Sequence, residues 1–404
     1  MFIMKKQGLV VFCLLIASII LGQKSKTEAS LSKSDNIKLD FSILAENKKK
    51  LAVKDASLTH AYQQLIKEAD KLLDYKPVSV MQKTATPPSG NKHDYMSIGP
   101  YWWPDPTKPN GLPYIRKDGE VNPEVHDYPD KENMPKLCEY VQTLSLAYFY
   151  SNNEKYAQHA SKLLEVWFLD STSKMNPNLN FGQAIKGKID GRAEGIIDTR
   201  HFIFAIDGAE LIKTSKYWTS TNEAKLKQWF AEFLNWLNTS EIGKDELNAK
   251  NNHGIWYDAQ TLAMALYTGN TTMADEIVLR ASNRLNKQMN EDGFFPYELE
   301  RNTSLNYSTF IMNAFVIIAQ LSEQTNHNLW ALKTKSGKTL SDAVNAILPY
   351  ITKEKEWTLG KQIKPYSGKD AFAILLHSSR KLNCSTCKEK VIKQVVENPI
   401  LVLY

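Results

Sequence analysis

Two short polar stretches carry the residues that could do chemistry. The first, Asn251-Asn252-His253-Gly254-Ile255-Trp256-Tyr257-Asp258, sets two amides, an imidazole, a phenol and a carboxylate at the start of an apolar helical run. The second runs from Asp292-Gly293 through Phe294-Phe295-Pro296 to Glu298 and Arg301, with Tyr307 following. A core helix does not begin with such residues, and Asp-Gly is a turn signal that positions the backbone ahead of Glu298 and Arg301. Together they suit removal of a proton next to a carboxylate, as in β-elimination of a uronic acid polymer. That reaction needs donors to offset the substrate carboxylate, a base for the C5 proton and an acid for the O4 leaving group. Tyr307, His253, Asn252 and Arg301 fill these roles without a metal or cofactor, and neither is expected. A nearby guanidinium and imidazole are expected to lower the Tyr307 phenol toward the working range, because cations favour phenolate.

The elements that must position these residues are helices. Periodic apolar residues mark helices over Leu51–Asp74, Leu137–Tyr150, Ala157–Leu169, His201–Lys213, Glu223–Leu237, Ile255–Tyr267 and Met273–Gln288. The same pattern continues over Ser308–Leu321, Leu340–Ile351, Asp370–Leu382 and Lys388–Val396. Strand signals are nearly absent. The expected fold class is all-α: an (α/α) toroid or incomplete barrel of antiparallel helical hairpins, since no fixed-period repeat marks an open array. Between the first two helices, Tyr75–Pro135 is rich in proline and aromatics and lacks helical periodicity. A connection of that length in a compact domain is usually functional. Its segment Tyr95–Tyr114 is the candidate lid, with Trp102 and Trp103 stacking on sugar rings and His93, Tyr95 and Arg116 meeting carboxylates. Gln183 and Arg192, in a polar interval between helices, are expected to bind neighbouring sugars, and Tyr257 and Glu298 complete the expected substrate contacts.

Composition narrows the class. The chain has 404 residues and is 43% hydrophobic, enough for a sizeable core. Lys5 and Lys6 precede an apolar run from Gly8 to Leu21, the pattern of a secretory signal and too short for a membrane span. The expected organisation is a signal peptide over 1–22, a flexible leader over 23–40 and a single catalytic domain over 41–404, secreted to the periplasm, with no stable membrane insertion after cleavage. Loss of 1–22 removes two lysines and no acid, taking the formal charge from +6 to +4. That mild excess, mixed with acids, gives no case for nucleic acid but fits an anionic polysaccharide steered into a local cationic cleft. Cys138, Cys384 and Cys387 remain, too few for a disulfide framework, with Cys384 and Cys387 able to bond locally or stay reduced.

These blocks, with Gly99-Pro100-Tyr101-Trp102-Trp103-Pro104-Asp105-Pro106 and Gly191-Arg192 through Ile196-Ile197-Asp198-Thr199, resemble the alginate lyase superfamily, and within it most resemble family 38 of the polysaccharide lyases. The resemblance runs from about residue 50 to 380. It implies a toroid of paired helices and eliminative cleavage of polyuronate, with Asn252 and His253 as the Asn-His pair, Arg301 as the arginine and Tyr307 as the catalytic tyrosine. The Arg-to-Tyr spacing is one shorter than in the family 5 alginate lyases, and the lid lysine of that family has no assigned counterpart. Tyr307 is expected to take the C5 proton and return one to O4. Mannuronate and glucuronate present H5 and O4 on one side, so mannuronate-rich alginate is the expected substrate and glucuronan the alternative. Two other classes fit less well: a glycoside hydrolase using Asp258, Glu298 or Glu300 as its carboxylates, and a non-catalytic glycan-binding protein.

Overall fold

The computed structural model describes residues 39–366, 368, 371–382, 384–397, 400 and 403. The expected signal peptide and nearly all of the expected leader lie outside these. Leu39, the first described residue, is buried and donates its backbone N–H to Asp207.

Two helices open the described residues, α1 (Phe41–Ala52) and α2 (Ala56–Leu72). The 22-residue α3 (Asp130–Ser151) begins earlier than periodicity predicts and carries Pro135 inside its second turn, where the ring removes one i→i−4 hydrogen bond. Then come α4 (Glu154–Leu164), which continues into a wider turn over Glu165–Leu169, a 3₁₀ segment over Ala193–His201, α5 (Phe202–Leu211), α6 (Ser220–Thr239) and α7 (Glu241–Leu247). The remainder comprises α8 (Asn252–Thr268), α9 (Thr271–Gln288), the single turn α10 (Pro296–Leu299), α11 (Ser304–Ser322), α12 (Leu340–Ile351), α13 (Ala371–Lys381) and α14 (Ser385–Glu397). α1 and α7 are absent from the sequence reading, since the polar run Glu46–Lys50 interrupts the apolar residues of α1 and α7 is too short to show a clear period.

Helices α3, α5, α8, α11 and α13 form an inner row in which each packs on the next, while α4, α6, α9 and α12 back them from outside. The inner members are the most completely buried: nearly every side chain of α5 and α8 is out of solvent. One contiguous apolar core runs from Leu39 to Leu403 along this arrangement. This is the (α/α) toroid expected of paired helical hairpins.

The long proline-rich segment is more ordered than its texture predicts. β1 (Met96–Ile98) pairs in parallel with β4 (Phe181–Ala184), and β2 (Trp102–Trp103) pairs antiparallel with β3 (Ile115–Arg116). A buried ion pair fastens the base of the segment: Lys83 Nζ lies 2.8 Å from Asp130, and both side chains are 1% exposed. Asp130 also accepts the backbone N–H of Met96 at 3.1 Å, which ties β1 to the start of α3. Burial weighs on both charges, pushing Asp130 up to about 6 and Lys83 down. Cys384 and Cys387 are bonded to each other, and Cys138 is a buried free thiol.

Candidate active site

α8 starts where it does because Asn251, in an extended conformation, accepts the backbone N–H of His253 through its side chain. The helix ends at Gly269, whose φ of +79° is left-handed. Its first turn sits tightly against the preceding loop: a Cβ on Gly254 would lie 2.3 Å from the Ala249 carbonyl oxygen. α8 is thereby seated with Asn252 and His253 facing a cleft of about 590 Å³.

The second polar stretch arrives from the opposite side. Gly293, at φ +87°, makes the turn, Phe295 stacks on Phe315 of α11, and Pro296 begins α10. This buries Glu298 against Asn252, where its carboxylate accepts the Asn252 backbone N–H at 2.6 Å and the side-chain Nδ2 at 2.8 Å. Two donors aimed at one carboxylate set the amide orientation of Asn252. Burial raises Glu298, opposed by the Asn252 hydrogen bonds and Arg301. Glu298 therefore positions Asn252, which is a correction to its expected substrate contact.

Arg301 and Tyr307 meet at the mouth of α11. Arg301 Nη2 donates to Tyr307 Oη at 2.7 Å and to Asp118 at 2.6 Å, and Nε reaches Asp118 at 3.2 Å. Tyr101, from the proline-rich segment, lies 3.0 Å from Tyr307 Oη. The Tyr307 phenol is shifted upward, not downward as the residue types predict: burial and the neighbouring Tyr101 outweigh the guanidinium. In the free enzyme it is a protonated phenol. Asp118 is held below the ordinary carboxylate range, because Arg301 and the backbone N–H of Asn302 overcome the effect of burial.

His253 Nδ1 lies 2.8 Å from a carboxylate oxygen of Glu246 on α7, leaving Nε2 as the ring nitrogen available to the cleft. Burial lowers the imidazole's affinity for a proton, but Glu246 more than offsets it and the net direction is upward. The cleft wall also carries Arg116, Lys131, Arg192, Arg200 and Arg301 against Glu194 and Asp198, an excess of positive charge. Such a wall favours an anionic ligand. Among the described residues no three His, Cys, Asp or Glu side chains converge as a metal site requires.

Residues 79–357 match the family model for alginate lyase. The chain belongs to the alginate lyase family. It is similar to the crystal structure of an alginate lyase from Bacteroides ovatus, with 38% identity and a TM-score of 0.83 over 91% of this chain and 98% of that one. More distant likenesses share the fold: alginate lyase A1-III from Sphingomonas species A1, 15% identical with a TM-score of 0.50 over 80% and 88% of the two chains, and a variant of alginate lyase A1-III complexed with tetrasaccharide, 14% identical with a TM-score of 0.57 over 89% and 91%. No curated protein matches the sequence. Membership makes the chain a polysaccharide lyase with an anionic polysaccharide substrate.

For this family member the structure brings Asn252, His253, Arg301 and Tyr307 to one cleft, together with Trp102, Arg116, Gln183 and Arg192. Arg192 is fixed by Gln183, donating through Nε to its carbonyl and through Nη2 to its side-chain oxygen, both at 3.0 Å. Besides Glu298, four expected substrate contacts fall elsewhere. Tyr95 is 0% exposed and donates to Asp198 at 3.0 Å, because β1 turns that face into the core. Tyr257 is equally buried one helical turn from the cleft, donating to the Leu237 carbonyl. His93 is held through Nδ1 at the Lys174 carbonyl. Trp103, adjacent to Trp102 in a strand and so on the opposite face, donates its indole N–H to Glu120 O under Lys117. Asp258, a carboxylate for the hydrolase alternative, is buried between Arg280 and Arg284, each Nε at 2.7 Å.

Several site residues escape sequence reasoning. Tyr101 lies in the Gly99–Pro106 block, and Asp118 begins an Asp-Gly turn, so each had a weak local signal. Lys131, Arg200 and Glu246 had none.

Proposed function

We propose that this chain cleaves mannuronate-rich alginate by β-elimination, with Tyr307 as the proton-transferring group. What carries the reading is the Tyr307 phenol, set in a cationic cleft at hydrogen-bond distance from both Arg301 and Tyr101, with Asn252 and His253 lining the same cavity. The Tyr307 phenol first loses its proton to solvent, and H5 then passes to the phenolate oxygen, freeing the C5–H electron pair to form the C4–C5 double bond. The C4–O4 bond breaks, and O4 leaves with the proton returned by Tyr307. Asn252, and His253 in its imidazolium form, offset charge developing on the C5 carboxylate, the largest electrostatic demand of the step. Arg301 donates to Tyr307 Oη and so stabilises the phenolate against burial.

A single tyrosine serves both proton transfers only when H5 and O4 lie on one side, as in mannuronate and glucuronate. Guluronate has the opposite C5 configuration and needs groups on both faces. The family favours alginate over glucuronan, which makes mannuronate blocks the proposed substrate. Assignment to family 38 within the superfamily is part of the same proposal. So is export, resting on Lys5, Lys6 and the apolar run from Gly8 to Leu21.

The test is a screen of the purified protein on mannuronan, guluronan and glucuronan, read as ultraviolet absorbance of the unsaturated product. Mannuronan is expected to be turned over fastest. Fastest turnover of guluronan overturns the one-tyrosine mechanism, fastest turnover of glucuronan replaces the substrate, and no absorbance on any polymer overturns the activity.

A further inference from the structure

We infer that Glu246 is a positioning residue for this reaction: its buried carboxylate takes the Nδ1 hydrogen of His253 and thereby presents Nε2 to the sugar. The assignment rests on the proposed place of His253 in the eliminative site. The two residues differ in a telling way, since the His253 side chain is 17% exposed at the cleft wall and Glu246 only 1%. A carboxylate hidden behind an imidazole, with the other ring nitrogen turned to the cavity, does two things. It selects the neutral tautomer with the proton on Nδ1, leaving a lone pair on Nε2. When the ring is protonated it balances the cation, which is otherwise costly to hold in a buried place.

The surroundings are built to hold that carboxylate still. α7 is one short helix between two tight contacts. At its start a Cβ on Gly243 would lie 1.9 Å from the Leu237 carbonyl oxygen, so the chain closes against α6 there. At its end Arg284 of α9 donates through Nη1 to Ala249 O at 2.8 Å and through Nη2 to Leu247 O. The same guanidinium donates through Nε to Asp258 at 2.7 Å, and Asp258 lies about one and a half turns along α8 from His253. Arg284 thus clamps the carbonyl end of α7 to the helix that carries His253. This gives Gly254 and Asp258 of the first polar stretch a purpose: Gly254 admits the Ala249 loop, and Asp258 orients the clamp. Other charges near the imidazole are Arg192 and Glu194 at the start of the 3₁₀ segment and Glu298 on α10. Glu246 is hydrogen-bonded to the ring itself, at 2.8 Å.

The experiment is two-bond ¹H–¹⁵N spectroscopy of the full chain labelled with ¹⁵N-histidine, followed across pH, beside pH profiles of kcat/KM for wild type, Glu246→Gln and Glu246→Ala. In wild type the neutral ring of His253 is expected to carry its proton on Nδ1. Glu246→Gln keeps an acceptor for that proton but loses the charge, so titration of His253 should fall by about one to three pH units, with the corresponding limb of the rate profile moving equally. Glu246→Ala should lose the tautomer preference as well. A wild-type ring protonated on Nε2 overturns the inference without any variant, which covers the case of variants that do not fold. So does a Glu246→Gln enzyme whose rate drops while its His253 titration and pH profile stay in place, the signature of a merely structural carboxylate. Failure of the lyase reading shows separately, as wild type that forms no unsaturated product while the spectra still report the His253–Glu246 pair.

Discussion

Replacing Tyr307 with Phe removes one oxygen and leaves the frame around it standing. Arg301 keeps both hydrogen bonds to Asp118, at 2.6 and 3.2 Å, and its guanidinium still lies over the ring, 3.6 Å from the centroid. The stability lost is that of two hydrogen bonds, about 1.5–3 kcal/mol for the one from charged Arg301 and about 1 kcal/mol for the one with Tyr101. The catalytic loss is larger. A positioned acid or base contributes about 10²–10⁴-fold, and here one oxygen serves in both transfers. We therefore expect a fall of at least about 10⁴-fold in kcat/KM, or about 5.4 kcal/mol at 1.36 kcal/mol per decade. The rate is read as absorbance growth on mannuronan, and affinity by calorimetry with an oligomannuronate that the variant does not cleave. Affinity should stay within about threefold, because the carboxylate donors are untouched. A kcat/KM within tenfold of wild type, or a loss that lies wholly in binding, refutes the assignment of Tyr307.

Tyr101 raises the Tyr307 phenol, so Tyr101→Phe should shift the alkaline rise of kcat/KM to lower pH; an unchanged profile excludes Tyr307 as the titrating base. Lys83→Met leaves Asp130 buried without its partner and should cost about 3–5 kcal/mol at pH 8. Because Asp130 already sits at about 6, the variant's deficit should shrink toward pH 5 as that carboxyl takes a proton, as denaturant titrations at the two pH values would report. Asp118 has a depressed folded value, so its pairing with Arg301 stabilises above the ordinary carboxylate value and is lost as pH falls through the folded one. Asp118→Asn should accordingly cost about 1 kcal/mol at pH 7, with the difference from wild type closing in acid unfolding below about pH 4. Trp102→Ala should raise KM on mannuronan while Trp103→Ala leaves it near wild type, since only Trp102 lines the cleft.

Most of the scaffold was legible along the chain because helix formation writes itself locally. Apolar spacing, the Asn251 cap and the Gly269 stop place α8 from its own residues, and Leu340–Ile351 is recovered to the residue. α7 and the four short strands were missed for the reverse reason, being too short to show a period and held by partners distant in sequence, and α1 was missed because Glu46–Lys50 interrupts its apolar residues. The lid segment misled in its details, because alternation in a two-residue strand decides between Trp102 and Trp103, and no local feature says which face is wet.

The sequence by itself determined which chemistry was available: an amide, an imidazole, a guanidinium and a phenol in two stretches, on a frame of helices, in a pattern resembling one family. Only tertiary structure decided what each group is. It turned Tyr95 and Tyr257 into core residues, made Glu298 the anchor of Asn252, and set Glu246 behind His253. It also reversed the expected shift of Tyr307. The reason is that a proton affinity follows from burial and from neighbours a few ångströms away, and Tyr101, Asp118 and Glu246 reach their partners through folding rather than through adjacency in the chain.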